Sequence, residues 1–198
     1  MAHGPRYSVR YRRRREGKTD YRKRLRLLKS NLPRIVVRKG IWNFTVHLVE
    51  YDENGDRTIF TIHSKHLYKK YKWLGHRGNI PTAYLTGLIA GFEALKRGYK
   101  KVILDIGRHS PTKGASVFAV LKGLLDAGLE VPHSPDKIPS NDRIEGKHIE
   151  DYAKYLLRND PNKYKNQFSN YIKLGLKPEE FTKYFKETKD KILMEYKK

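Results

Sequence analysis

The chain contains no cysteine among its 198 residues. Disulfide frameworks, thiolate zinc sites, iron–sulfur clusters and cysteine nucleophiles are therefore excluded. It also lacks an apolar run approaching the roughly 18 residues that a bilayer-spanning helix needs. The opening residues Met1–Arg6 hold none of the apolar core of a signal peptide. From these absences we expect a soluble, intracellular protein.

Acidic residues are scarce relative to basic ones. The chain has 21 Asp and Glu against 43 Lys and Arg, a formal net charge of +22. Such an excess costs a compact protein stability through self-repulsion, and it indicates a polyanionic partner. The hydrophobic fraction of 38%, with 12% aromatic residues, is sufficient for a folded core, so we do not expect wholesale disorder.

Residues 1–30 are predicted to form a basic arm. They hold twelve Lys and Arg against two Asp and Glu, and nine of the twelve are arginine, four of them consecutive at Arg12–Arg15. Guanidinium groups fork onto phosphate oxygens and stack on bases, and the interspersed tyrosines offer rings for stacking. We expect an extended arm, helical near Tyr21–Lys29, that becomes ordered on nucleic acid. A solubilising tail or a localisation signal is the alternative.

Residues 31–134 are predicted to form a mixed α/β core that opens with a three-stranded meander. Ile35–Val37 is a short apolar run, and apolar residues alternate from Trp42 to Leu48 and again from Thr58 to Ile62. Period two indicates strands. The Asn-Gly step within Asp52–Asp56 predicts the hairpin turn.

A helix is predicted from Pro81 to a glycine cap at Gly98, after a loop over Lys65–Asn79 with one helical turn. Gly87 and Gly91 weaken this helix, so we expect something to approach it closely there. Sheet backbone and nucleic acid are both candidates, and we favour the sheet.

A crossover unit follows in the sequence. Val102–Ile106 predicts a strand covered on both faces, Ala115–Ala127 predicts a helix, and Leu129–Val131 predicts a fifth strand. Strand, helix and strand in this order imply a right-handed crossover with parallel pairing. The core is thus predicted to be a mixed sheet with helices.

Residues 135–198 are predicted to form a helical extension. We expect helices over about Arg143–Arg158, over about Pro161–Leu174 with Asp160 as cap, and from Pro178 onward. The block is nearly balanced in charge, with fifteen basic and eleven acidic residues, which argues against its being the main RNA contact. The last helix carries an aromatic stripe that we expect to pack on its own domain. The stripe consists of Phe181, Tyr184, Phe185, Thr188, Ile192 and Tyr196.

The loop Gly107–Gly114 is the strongest local candidate for anion binding. It leads directly into a predicted helix N-terminus and carries Arg108 and Lys113. Free backbone N–H groups, the positive end of the helix dipole and two cations would suit a phosphate. A purely structural connection explains these residues equally well.

The sequence supports a catalytic function less well than nucleic-acid binding. Asp105 ends an apolar strand, and Glu50 and Asp52 lie near a hairpin turn, so a two-metal nuclease is the alternative function. Solvated acids are ordinary at hairpin ends, however, and we predict no catalytic residue, no metal and no cofactor. The segment Gly75–Gly78 matches the Gly-x-x-Gly loop of an RNA-binding module without the helical flanks that would support it.

Three long stretches resemble a known family. They read RRRREGKTDYRKRL at 12–25, GNIPTAYLTGLIAG at 78–91 and LDIGRHSPTKGASVFAVLKGLLDAGLEVPHS at 104–134, with PRIVVRK at 33–39 in addition. In their order and spacing, and in the total length of the chain, they resemble the L eighteen family. This is a family of 5S rRNA-binding proteins of the large ribosomal subunit, and the resemblance is to its archaeal form.

The resemblance implies a ribonuclease H-like core without an active site, in a cytoplasmic protein of the large subunit. The implied partners are 5S rRNA and large-subunit rRNA in the central protuberance, ribosomal protein L five and other proteins there, with no membrane and no small-molecule substrate. A basic adaptor for acidic proteins is a further alternative. The family's RNA contacts fall on Arg12, Arg13, Arg14, Arg15, Lys18, Tyr21, Arg22, Lys23 and Arg24 in the arm and on Arg108, Lys113 and Gly114 in the loop.

Overall fold

The fold is built around a four-stranded mixed sheet, in a computed structural model that describes residues 4–196. The strands are β1 (Arg34–Lys39), β2 (Phe44–Glu50), β3 (Arg57–His63) and β4 (Ile103–Asp105), in the spatial order β3-β2-β1-β4. The first three form an antiparallel meander, and β4 pairs parallel to β1. The predicted mixed α/β class is confirmed.

The register gives the sheet two different faces. Apolar side chains of alternating residues, such as Val37 and its partner Val46, are fully buried on one face. Asp105, Val36 and His47 are paired across neighbouring strands, so they share the opposite face. One face is therefore apolar and the other is partly polar, as the period-two alternation requires.

Two helices, α4 (Ile80–Lys96) and α5 (Ser116–Asp126), lie against each other beneath the apolar face. A Cβ on Gly87 would collide with the backbone of Val120, and one on Gly91 would collide with Ala127. The close approach at these glycines is therefore made by α5. Our expectation that the sheet approaches there is wrong, because small residues on both helices let their backbones meet.

Several local predictions need correction. The segment predicted as a loop contains α3 (Lys65–Tyr71), a helix of about two turns. The fifth strand is reduced to a single parallel bridge between Lys101 and Glu130. Trp42 precedes β2 and is 59% exposed, so it does not continue the buried alternation.

The two helices predicted between 143 and 174 are each broken. Gly146 adopts a φ of +84° between the first pair, and a Cβ there would lie 2.5 Å from the Phe181 ring, so glycine permits both the turn and the packing. Asp160 caps its helix as predicted, accepting from Lys163 N at 2.9 Å. The helices are α6 (Asn141–Glu145), α7 (Lys147–Asn159), α8 (Pro161–Gln167), α9 (Ser169–Lys173) and α10 (Phe181–Tyr196), with 3-10 turns at Pro135–Lys137 and Pro178–Glu180.

The aromatic stripe of α10 packs on the protein's own core, as predicted. Phe181, Phe185 and Ile192 are fully buried and belong to the same apolar cluster as the sheet and α4. The Tyr184 hydroxyl accepts a hydrogen bond from Leu74 N at 3.0 Å. No helix within residues 4–196 has the length and apolar character to cross a membrane.

Candidate nucleic-acid interface

The arm contains two short helices, α1 (Arg12–Arg15) and α2 (Tyr21–Leu28). Asp20 caps α2 by accepting hydrogen bonds from Arg22 N at 3.0 Å and Lys23 N at 3.1 Å. These bonds lower the pKa of the Asp20 carboxyl. The predicted helix near Tyr21–Lys29 is confirmed. The arm is not extended over residues 12–28, which contain both helices, whereas residues 7–11 are exposed and form neither helix nor strand.

Three contacts hold the arm against the sheet. Lys23 Nζ donates to the Gly107 carbonyl at 2.8 Å, and the Arg108 guanidinium donates to the Gly17 carbonyl. Arg24 forks onto both carboxylate oxygens of Asp56, at 2.6 and 2.8 Å. The core thus supplies the counter-charge that we expected only from a partner.

A network of ion pairs continues from the Arg24–Asp56 contact into the sheet. Arg34, whose side chain is 3% exposed, places Nη2 2.6 Å from Asp56 Oδ2 and Nη1 3.4 Å from Asp105 Oδ2. Asp105 also accepts from Gly107 N at 2.7 Å. The hydrogen bond from Arg24 is the largest cause of a lowered pKa at Asp56. Because buried charges need partners, this ion-pair network fixes the arm, the hairpin turn and β4 relative to one another.

A groove of about 520 Å³ lies between the arm and the polar face of the sheet. Seven Lys and Arg side chains line it against three Asp, so its potential is positive even after every carboxylate is paired. The cations are Arg13, Lys18, Lys23, Arg24, Arg34, Arg38 and Arg108, and the acids are Asp20, Asp56 and Asp105.

The structure divides the cations among the predicted RNA contacts of the arm and the loop into two groups. Arg13, Lys23, Arg24 and Arg108 donate to groups of the protein, and Arg12 and Lys18 flank Glu16. The others are exposed, with no hydrogen bond or ion pair from their side chains to any residue between 4 and 196. These unengaged cations are Arg14, Arg15, Arg22 and Lys113.

The Gly107–Gly114 loop differs from the predicted anion site, because several of its donors are engaged within the protein, among them Gly107 N and the Arg108 guanidinium. Gly114 N donates to the Lys137 carbonyl at 3.0 Å, so this N–H is not free for a phosphate. Helix α5 begins after Ala115 without a side-chain cap. Burial, followed by neighbouring cations that include Arg38, lowers the pKa of His109. The loop is therefore cationic, but part of its backbone is used structurally.

Comparison with known proteins bears on what this surface contacts. A family model described as ribosomal large subunit proteins 60S L5 and 50S L18 matches residues 5–100 and 93–134, well over half of the chain. The chain belongs to this family of ribosomal proteins. The match covers most of the arm, the sheet and both central helices, and it stops before the C-terminal helices. Assignment to the archaeal form stays a prediction, as does the likeness to ribonuclease H.

The geometry of this ribosomal protein gives the nuclease alternative no support. Asp105 is occupied by Arg34, Arg38 and the Gly107 amide. Glu50 accepts from the Tyr99 hydroxyl at 2.7 Å and lies one residue beyond the Val49–Arg34 pair, whereas Asp105 is paired with Val36. Within residues 4–196, no three His, Asp or Glu side chains are grouped as metal ligands would be.

Sequence reasoning missed three residues of the cationic groove, Arg34, Arg38 and Asp56. Arg34 could have been noticed, since it opens a strand whose next three residues are buried and apolar. A charged residue beside such a run signals a buried partner. Asp56 carries no such signal, because acids are ordinary in hairpin turns.

Proposed function

We propose that this ribosomal protein binds 5S rRNA and helps to attach it to large-subunit rRNA in the central protuberance. Ribosomal protein L five and other proteins of that region would be its neighbours. The family membership supports a place in the large subunit. The observation that carries the specific proposal is the positive groove beneath an arm whose remaining cations face outward.

In this proposal the cations of the arm have two tasks. Lys23, Arg24 and Arg108 fasten the arm to the core. Arg14, Arg15, Arg22 and Lys113 contact RNA phosphates. Because the fastening groups are already ordered, the outward arginines lose less conformational freedom on binding than those of an extended arm would.

Tyrosines of the arm supply surfaces for unstacked bases. The rings of Tyr11 and Tyr21 lie 5.1 Å apart between centroids and are tilted by 46°. Tyr11 is largely exposed. RNA-binding proteins commonly recognise single-stranded loops by stacking bases on such rings. We therefore expect the arm to read unpaired bases as well as phosphates.

The test is the salt dependence of affinity for a 5S rRNA transcript. Each phosphate contact contributes about 0.7–0.9 to the slope of log affinity against log salt. Removing residues 1–26 should flatten the slope markedly, and replacing Arg14, Arg15 and Arg22 together by Ala should reduce it by about 2.

A matched control removes three positive charges elsewhere. Lys183, Lys186 and Lys191 lie on α10 and are exposed, so replacing them by Ala should leave the slope nearly unchanged. Equal losses in the two triple variants would show that only net charge matters. Chemical footprinting should show protection specific to 5S rRNA, and equal affinity for unrelated transcripts would contradict the proposal.

A further inference from the structure

A second groove lies between the α3–α4 connection and the helices α7 to α9. Its cavity volume is about 750 Å³, and six Trp, Tyr and Phe side chains line it. Trp73 and Phe168 are buried at its base, whereas three rings at its edge are 41–59% exposed. These edge rings belong to Trp42, Tyr68 and Tyr152. Large exposed aromatic surface in a protein of mean hydropathy −0.78 indicates a binding site.

The polar groups of this aromatic groove favour an anionic, base-bearing ligand. Among the residues that line it, Arg77 carries a positive charge and none is Asp or Glu. Burial lowers the pKa of His76 and of His148, so these rings serve mainly as neutral hydrogen-bonding groups. Three carboxamides, on Asn79, Gln167 and Asn170, also line it. Asn79 Nδ2 is buried and makes no hydrogen bond to the described part of the chain. Carboxamides pair with base edges, and cations attract the phosphates between bases.

The Gly-x-x-Gly segment Gly75–Gly78 shapes this groove. It lies between α3 and α4, so the expectation that it lacks helical flanks is wrong. Its amides are partly used inside the protein, because His76 N donates to the Tyr171 hydroxyl at 3.1 Å. A Cβ on Gly78 would lie 2.7 Å from the Ile41 carbonyl oxygen. These glycines permit close packing of the wall and do not form a phosphate clamp.

Trp42 of the aromatic groove follows residues of the cationic groove by only a few positions in the sequence. The hairpin loop between β1 and β2 starts after Lys39 and contains Trp42. Four residues before Trp42, Arg38 lines the cationic groove and donates to the Asp105 carbonyl at 3.1 Å. Cations therefore extend from the arm to the edge of the aromatic groove, a path that suits a continuous RNA better than a separate protein partner.

We propose that the aromatic groove binds an unpaired nucleotide of the RNA, its base stacked on Trp42 and Tyr68. This inference rests on the proposed function and adds a second, non-electrostatic contact to it. A stacked base depends on ring faces and tolerates salt, whereas the arm depends on phosphates. The two contacts can therefore be separated by experiment.

Tryptophan fluorescence gives a direct signal, since the chain has two tryptophans and Trp73 is fully buried. A 5S rRNA transcript and a ten-nucleotide single-stranded RNA should each quench Trp42 emission in the full-length protein. The Trp42→Phe variant should lose this quenching yet keep most of the affinity. Unchanged Trp42 emission at saturating RNA would overturn the inference.

Affinity measurements sharpen the test. Trp42→Ala or Tyr68→Ala should weaken RNA binding about 5- to 100-fold, without changing the salt slope. Tyr155→Ala is the matched control, because Tyr155 is exposed on α7 but does not line the groove. Since Trp42 and Tyr68 are exposed, thermal unfolding should show that the variants stay folded.

The outcomes distinguish this inference from the proposed function. If the triple arginine variant binds weakly while Trp42→Ala and Tyr68→Ala bind like the unaltered protein, the groove is not an RNA site and the proposed function survives. If single-stranded RNA quenches Trp42 but 5S rRNA is not preferred over unrelated transcripts, the proposed function fails and the groove inference stands. Protection of Trp42 only in assembled subunits would indicate a protein occupant and overturn the inference.

Discussion

The helices α2 and α10 are attached to the same core by different forces. None of the residues of α2 is fully buried, although Leu27 and Leu28 are half-buried. Its polar contacts to the core are a hydrogen bond from Lys23 and an ion pair from Arg24. Helix α10 buries Phe181, Phe185 and other residues of its stripe. Ionic contacts at a surface respond to salt, pH and competing phosphates, whereas apolar burial does not. Salt and free phosphate should therefore loosen α2 before they loosen α10.

The largest expected effect comes from breaking the apolar attachment. Phe181→Ala removes a fully buried ring that contacts Trp73 edge-on, with centroids 5.5 Å apart. We expect it to lower the free energy of unfolding by about 3–5 kcal/mol, measured by urea denaturation. Met194→Ala on the same helix should change it by less than about 0.5 kcal/mol, because Met194 is 68% exposed. Similar values for both variants would contradict the assigned packing.

A smaller loss is expected when the ionic attachment is broken at its centre. Asp56→Ala leaves the buried Arg34 guanidinium without its 2.6 Å partner and releases Arg24. We expect a cost of about 1.5–3 kcal/mol, with faster hydrogen exchange in α2. Asp52→Ala, in the same exposed turn, is the control and should be nearly neutral. Unchanged exchange in α2 after Asp56→Ala would show that the arm is held by something else.

The two attachments differ in how far the sequence could predict them. The stripe from Phe181 to Tyr196 follows helical spacing, and apolar faces must be buried, so its packing was predictable. The sheet was predictable for the same reason, from period-two alternation. The ion-pair network was not, because Arg34, Asp56 and Asp105 are far apart in sequence and meet only through strand register. Charge patterns reveal a positive surface without showing which cations are already paired.

As the pH falls, α2 should detach from the core before the aromatic stripe of α10 does. The Arg24 hydrogen bond lowers the pKa of Asp56, so the ionised carboxyl stabilises the folded arm above the ordinary Asp range. That contribution is lost as the pH falls below about 4 and through the lowered pKa. Protection of α2 amides from hydrogen exchange should fall in this window. In Asp56→Asn protection should be lower throughout and its fall smaller, because only the Asp20 cap of α2 then still titrates. Protection that persists to pH 2 in the unaltered protein would contradict this assignment.

The smallest expected effect comes from a variant of Arg24 that keeps its charge and changes the geometry of its contact with Asp56. Arg24→Lys keeps the positive charge but replaces the two-pronged contact to Asp56 with a single donor. The Arg24 side chain is partly exposed, so we expect a loss of about 0.5–1 kcal/mol, seen as faster exchange in α2 with α10 unaffected. Raising the salt concentration should weaken the arm further in this variant, since a single ammonium contact makes fewer hydrogen bonds and depends more on Coulomb attraction. If Arg24→Lys and the unaltered protein exchange alike at every salt concentration, the fork adds nothing, and the charge of the arm alone holds it to the core.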